Sequence, residues 1–263
     1  GRVRWRYVAG AAALAPPTVG ADAVLVSSND RLVHAATRGP SGGGWPATWK
    51  PPALGWPAQE RSPIVPLAVG PRVFYGTQDG WVQAIDAKPG AKVWETQIGA
   101  AGGAAPAGIF TAFGGGWDYL LVGTAESNGN RFYALDPATG SVVDFFPKSG
   151  DPHFGGIGAI LGMASVDYAR GQVYFASRLG TAPNTLWCLK LGPASDALTL
   201  GWVVPGATVG PIDGSPVVRG DRVYAGNNAG VLWAVDAVSG TPLYSYPTAD
   251  LAVKGFPFPD RRN

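Results

Sequence analysis

The sequence has 263 residues and a formal net charge of +2, with 46% hydrophobic and only 14% charged residues. So small a charge, with Lys and Arg scattered along the chain, excludes a basic nucleic-acid-binding surface. Cys188 is the single cysteine, which excludes an intrachain disulfide and a cysteine-based zinc cluster, and no run of about 18 apolar residues reads as a membrane-spanning helix. With 39 Gly and 24 Pro beside ten Trp, nine Tyr and ten Phe, the composition predicts a packed, turn-rich β protein.

In chain order, Gly1–Gly10 alternates Val3, Trp5 and Tyr7 with Arg2, Arg4 and Arg6, the period of a half-exposed strand. It reads as the closing strand of a repeat whose earlier part is missing; with no initiator Met or signal peptide, a processed or partial chain is expected. Ala23–Ser27 and Arg31–Thr37 are predicted strands around a turn at Asn29-Asp30. Gly39–Pro57 then sets Trp45, Trp49 and Trp56 among Pro and Gly, in a stretch too long for an ordinary hairpin loop. It reads as an outer strand with its tryptophans packed on a neighbour, as an aromatic surface for a sugar or a partner protein, or as disorder.

The clearest unit is Val73–Gly99: strand VFYGT, the turn Gln78-Asp79-Gly80, strand WVQAID, a turn ending at Gly90, and strand AKVWETQIG with Trp94. Gly supplies the positive φ a reversal needs and Pro pre-sets its neighbour. The same grammar returns in Tyr119–Phe146 and Val223–Tyr246. The strings WVQAID, FYALD and LWAVD end at Asp86, Asp136 and Asp236, and their turns close at Gly90, Gly140 and Gly240. Recurrence at one place in the grammar assigns these aspartates to turn capping, not catalysis. A looser copy runs through Gly162–Tyr168, Val173–Ser177, Thr185–Leu191 and Gly201–Val204, and Leu251–Phe258 resembles the opening strand of another.

The second strands begin near Val24, Val73, Leu120, Val173 and Val223, spaced 49, 47, 53 and 50 residues apart. A period of about 50 with four short strands per unit predicts an all-β fold, a β-propeller of four-stranded blades. One propeller domain is expected over 1–263, with blades over 11–57, 58–100, 101–150, 157–206 and 207–248. Residues 1–10 and 249–263 supply strands of incomplete flanking blades. Five visible blades imply a piece of a larger ring of six to eight, or a ring completed by other chains; a self-closed ring is the alternative.

The string aromatic-x-Ala-hydrophobic-Asp-x-x-x-Gly, followed in the second repeat by Lys92-Val93-Trp94, resembles the quinoprotein-like (PQQ-like) propeller repeat over nearly the whole chain. That superfamily includes BamB-type outer-membrane assembly lipoproteins, quinoprotein dehydrogenases and secreted bacterial surface proteins. The resemblance implies that Trp94 docks between neighbouring blades, with Phe145 and Tyr244 near the same position in other repeats. For the enzymes it would also imply a quinone cofactor, a calcium held by Glu, Asn and Asp, and a disulfide between adjacent cysteines. One cysteine and three glutamates (Glu60, Glu95, Glu126) depart from that pattern, so no catalytic, cofactor-binding or metal position is assigned. His34 reads as a core or blade-edge residue, His153 as a solvated loop histidine, Cys188 as an inert core thiol, and Asp167 and Asp213 as weak site candidates. The expected function is a non-catalytic, extracytoplasmic scaffold for protein partners in a bacterial surface or envelope assembly. The alternatives are a fragment of a PQQ-dependent dehydrogenase and a carbohydrate-binding surface protein.

Overall fold

The computed structural model describes residues 6, 8–12, 17–19, 23–28, 30, 32–37, 66–77, 80–86, 91–99, 109–110, 119–127, 129–178, 183–193, 196–248 and 252–253. Short runs of β-branched and aromatic residues, cut by Gly, Asp and Pro, fold into five antiparallel sheets laid out in sequence order. The first holds β1 (Thr18–Val19), β2 (Ala23–Ser28) and β3 (Leu32–Thr37). The second holds β4 (Leu67–Val69), β5 (Arg72–Gly76), β6 (Trp81–Asp86) and β7 (Lys92–Gln97), and the third β8 (Ile109–Phe110), β9 (Leu120–Gly123), β10 (Phe132–Leu135) and β11 (Val142–Phe146). The fourth holds β12 (Ser165–Asp167), β13 (Gln172–Ala176), β14 (Asn184–Leu191) and β15 (Leu198–Pro205), and the fifth β16 (Val217–Arg219), β17 (Arg222–Gly226), β18 (Val231–Asp236) and β19 (Pro242–Pro247). Each strand pairs with its neighbours in sequence, so every sheet is a meander. Among the described residues the only helix is the single turn α1 (Gly206–Val209).

A four-stranded meander this small cannot cover its own two faces, so the sheets cover one another. Side chains alternate across each strand, and the two sets enter different cores. In the third sheet Leu120, Val122, Tyr133 and Leu135 join Phe74, Ala84 and Trp94 of the second sheet. Tyr119, Leu121, Phe132, Ala134 and Phe146 instead meet Val173, Phe175, Trp187 and Leu189 of the fourth. The opposite face of the fourth sheet, with Tyr174, Leu186, Cys188 and Trp202, packs on Val223, Ala225 and Val235 of the fifth. No apolar cluster among the described residues joins the fifth sheet to the first, so these blades form an open, partial propeller.

One irregularity recurs and fixes the joints. In each of the last four sheets the pairing of the third and fourth strands slips, between Ala84 and Ile85, Ala134 and Leu135, Cys188 and Leu189, or Ala234 and Val235, and the fourth sheet slips a second time between Asn184 and Leu186. Such a bulge re-aims the side chains beside it. The residues opposite Ala84, Ala134, Cys188 and Ala234 are Trp94, Asp144, Trp202 and Tyr244. Trp94 Nε1 donates to Pro137 O of the next sheet at 3.0 Å, and Trp202 Nε1 donates to Ala237 O at 2.9 Å. Their indoles lie against Gly140 and Gly240, which turn at φ +76° and +73°. Asp144, 7% exposed, bridges its joint differently: its Oδ2 accepts the Leu198 N–H at 3.0 Å. The third-sheet residue at the docking position is thus Asp144, and the aromatic neighbour suggested by the sequence, Phe145, is paired with Tyr133 on the other face.

Candidate functional site

The aspartates of the repeat close turns. Asp136 Oδ1 accepts the N–H groups of Ala138 (2.7 Å) and Thr139 (3.0 Å). Asp236 Oδ1 accepts those of Val238 (3.0 Å) and Ser239 (2.8 Å) and the Ser239 hydroxyl (2.9 Å). Asp86 starts the equivalent turn, its N–H donating to Ala91 O at 2.9 Å. Gly90, Trp45, Trp49 and Trp56 lie outside the described residues. The Ser239 and Val238 donors hold the Asp236 carboxyl below its ordinary value of 3.8. A depressed folded-state pKa gives stability that is full above the ordinary value and is lost as pH falls through the folded one. Asp236→Ala is therefore expected to lower the melting temperature at pH 7 and to shrink the fall in melting temperature below about pH 4; melting curves over pH 2–7 for both proteins check this. An unchanged acid limb would contradict it.

The two weaker aspartate candidates do not meet. Asp167 ends β12 and pairs with Arg170, which also reaches Gly220 O and Asp221, so it clamps the fourth sheet to the fifth. Asp213 lies beyond the other end of β13, where Arg178 holds it through Nε and Nη2 at 3.0 and 3.1 Å. His34 is buried, with Nε2 2.8 Å from Asp30 Oδ2. His153 lies in the turn after β11 with its side chain 23% exposed, its Nδ1 2.9 Å from Asp151 Oδ1 and its ring edge-on to Trp187 at 5.9 Å. Burial pushes the Cys188 thiol up to about 12, which keeps it protonated and unreactive at neutral pH.

At the end of the second strand in each of the last four sheets stands a buried small polar residue: Thr77, Thr124, Ser177 and Asn227. Thr77 Oγ1 accepts the Trp81 N–H, Thr124 Oγ1 the Arg131 N–H, and Asn227 Oδ1 the Val231 N–H. Ser177 Oγ donates to Asn184 O. These side chains satisfy backbone groups at the inter-strand loops. The crossing segment between sheets is tied to the same place, with Ile160 N–H donating to Thr124 O and Val253 N–H to Asn227 O.

Two features at the surface are left over from this framework. Arg131 lies with its guanidinium carbon 4.6 Å from the Phe145 ring centre and 5.6 Å from that of Phe154, itself 51% exposed. The second feature is the outer face of the fifth sheet. Phe74–Trp94 and Tyr174–Trp202 are tilted aromatic pairs, each at 5.8 Å, whose indoles reach the following sheet. By register the corresponding pair of the fifth sheet is Tyr224 and Tyr244. Tyr244 is 49% exposed, Tyr246 is 65% exposed, and Arg222 lies over the Tyr244 ring at 5.7 Å.

Serial blades with an inter-blade docking residue define a quinoprotein-like β-propeller. The family model described as outer membrane protein assembly factor BamB matches residues 1–114 and 78–144, and the chain belongs to that family. No curated protein matches it in sequence. In three dimensions it is similar to BamB from Moraxella catarrhalis, with TM-score 0.62 and 17% identity over 94% of this chain and 68% of that one. It is also similar to the computationally designed Ika8 protein (0.63, 13%, covering 93% of this chain and 64% of that) and to a europium-containing methanol dehydrogenase (0.71, 17%, covering 94% and 53%). The chain thus spans about two thirds of the first two and about half of the dehydrogenase, and these likenesses concern the fold. Among the described residues no three His, Cys, Asp or Glu side chains converge as metal ligands, and Cys188, the single cysteine, is buried. No described helix is long and apolar enough to cross a membrane.

Proposed function

We propose that this chain is a non-catalytic, extracytoplasmic propeller that serves as a protein-interaction scaffold in a bacterial surface or envelope assembly. The observation that carries the proposal is the Tyr224–Tyr244 pair. It repeats the joint-forming aromatic pairs of the second and fourth sheets, yet half of Tyr244 is open to solvent. A face built to the rule of its neighbours takes what they take, namely a Gly-ended turn of a further blade-like sheet. In this proposal another protein chain supplies that sheet. Family membership supports the envelope setting, since the matched model is described as an outer-membrane assembly factor. Aromatic side chains that become buried on association are the usual anchors of a protein interface.

The test is to place a photo-crosslinking phenylalanine analogue at Tyr244 in the native cells and to map the adduct by mass spectrometry. The expected product joins residue 244 to a turn ending in Gly on a different polypeptide, and it disappears when the analogue sits at exposed Val238 on the turn after β18. An adduct confined to this chain's own residues, or equal adducts from both positions, overturns the proposal.

A further inference from the structure

We propose that Arg131, held between Phe145 and Phe154, is a recognition site for a side-chain carboxylate on an acidic segment of a protein partner. The inference is independent of the fifth-sheet reading, because it rests on the third sheet and the loop that follows it.

The guanidinium is charged at any physiological pH, and a charged donor taken out of water is normally hydrogen-bonded. Here Nε is sealed from solvent and has no hydrogen-bond partner. Among the described residues none of the other guanidinium N–H groups is paired either, and the group lies against the two rings. The carboxylates on the adjoining segments are already engaged. Asp144 accepts from Leu198 N–H and Phe145 N–H and pairs with Lys148 Nζ at 3.3 Å. Asp151 accepts from the His153 N–H and pairs with its ring. Among the described residues the cation is therefore without a carboxylate partner.

Its setting selects the ligand. The guanidinium carbon lies beside both phenylalanine rings and Nε is closed off, which leaves Nη1 and Nη2 as the donors for a ligand. Two parallel N–H groups match the two oxygens of a carboxylate. Phe154, half-exposed, adds an apolar wall that lowers the local dielectric and strengthens that pairing. The wall is fixed by the turn that carries it: Phe154 N–H donates to Asp151 O at 2.9 Å and Gly156 N–H to His153 O at 2.7 Å.

The probe is a capped hexaglutamate peptide, with capped hexaglutamine and inorganic phosphate as comparisons. Titration into the ¹⁵N-labelled protein is followed on the Arg131 Nε–Hε signal. The expected result is a saturable shift with hexaglutamate and none with hexaglutamine. Arg131→Lys, which keeps the charge and loses the fork, should weaken binding about tenfold or more. Phe154→Ala, at an exposed position that leaves the fold intact, should weaken it severalfold. Equal shifts with hexaglutamine overturn the proposal, as does unchanged affinity in both variants. Phosphate that shifts the signal while hexaglutamate does not would also overturn it, by assigning the group to a phosphate ligand. Crosslinking from residue 244 is unaffected by any of these outcomes, so the two proposals fail separately.

Discussion

Gly140→Ala is expected to destabilise the protein by about 3 kcal/mol or more, from two sources that can be separated. A Cβ at this position falls against Cε3 and 2.6 Å from Cδ2 of Trp94, far inside contact distance, and 2.8 Å from the Thr96 hydroxyl. Overpacking of that kind costs roughly 1–3 kcal/mol. The residue also sits at φ +76°, where an L side chain costs roughly 1–2 kcal/mol. Trp94→Ala alone should cost about 3–5 kcal/mol, as for other large aromatic truncations. In the double variant the clash with the indole is gone and only the Thr96 hydroxyl contact remains, so the two losses should fall short of additivity by about 1–3 kcal/mol. Denaturant unfolding of the four proteins measures this; strict additivity would mean that the indole does not lie on the glycine. The same cycle at Gly240 and Trp202 should repeat it, since that Cβ would lie 2.7 Å from Trp202 Cδ2.

Trp187→Ala carries the other large expected loss, about 3–5 kcal/mol. The side chain is fully buried, parallel to Phe175 at 6.0 Å and edge-on to Phe146 at 6.2 Å, and its Nε1 donates to Ser177 Oγ at 2.9 Å. Phe175 in turn stacks on Phe132 of the third sheet at 4.5 Å. The column therefore ties two blades, not one. Trp187→Phe keeps one aromatic ring in the stack but loses the donor and part of the buried ring surface, so a smaller loss of about 2–3 kcal/mol is expected. Urea unfolding of both variants tests the partition. Equal losses would show that the hydrogen bond, not the stacked surface, holds this joint.

Much of the fold could be read in the sequence because its signals are local. The strings WVQAID, FYALD and LWAVD each become a third strand, and Asp136 and Asp236 accept hydrogen bonds from the turns that follow. The docking residues were legible only where that grammar is intact. Trp94 follows a regular turn, which marks its place in the repeat. Trp202 has no such marker, because the fourth repeat lacks the Asp-x-x-x-Gly turn and runs instead through an eight-residue strand and the loop after Leu191. Only the pairing of Cys188 with Trp202 reveals the equivalence. In the third repeat the aromatic Phe145 drew attention away from Asp144, since a bulge that decides which of two adjacent residues faces a neighbour leaves no mark in composition. The Arg131 cluster joins residues from a strand, its neighbour and a later loop, a combination that no linear spacing announces.

The Asp144 joint sets the order in which blades can be assembled. At the two indole joints the earlier blade gives a proton donor and the later blade a carbonyl; at the Asp144 joint the earlier blade gives an acceptor and the later blade an N–H. Slid one place along, a carboxylate would confront a carbonyl, and an indole would confront an amide hydrogen. Either mismatch strands buried polar groups, so the polarity of the linkages works against permuted or out-of-step stacking. Near-identical modules are thereby kept in a single sequence around the axis.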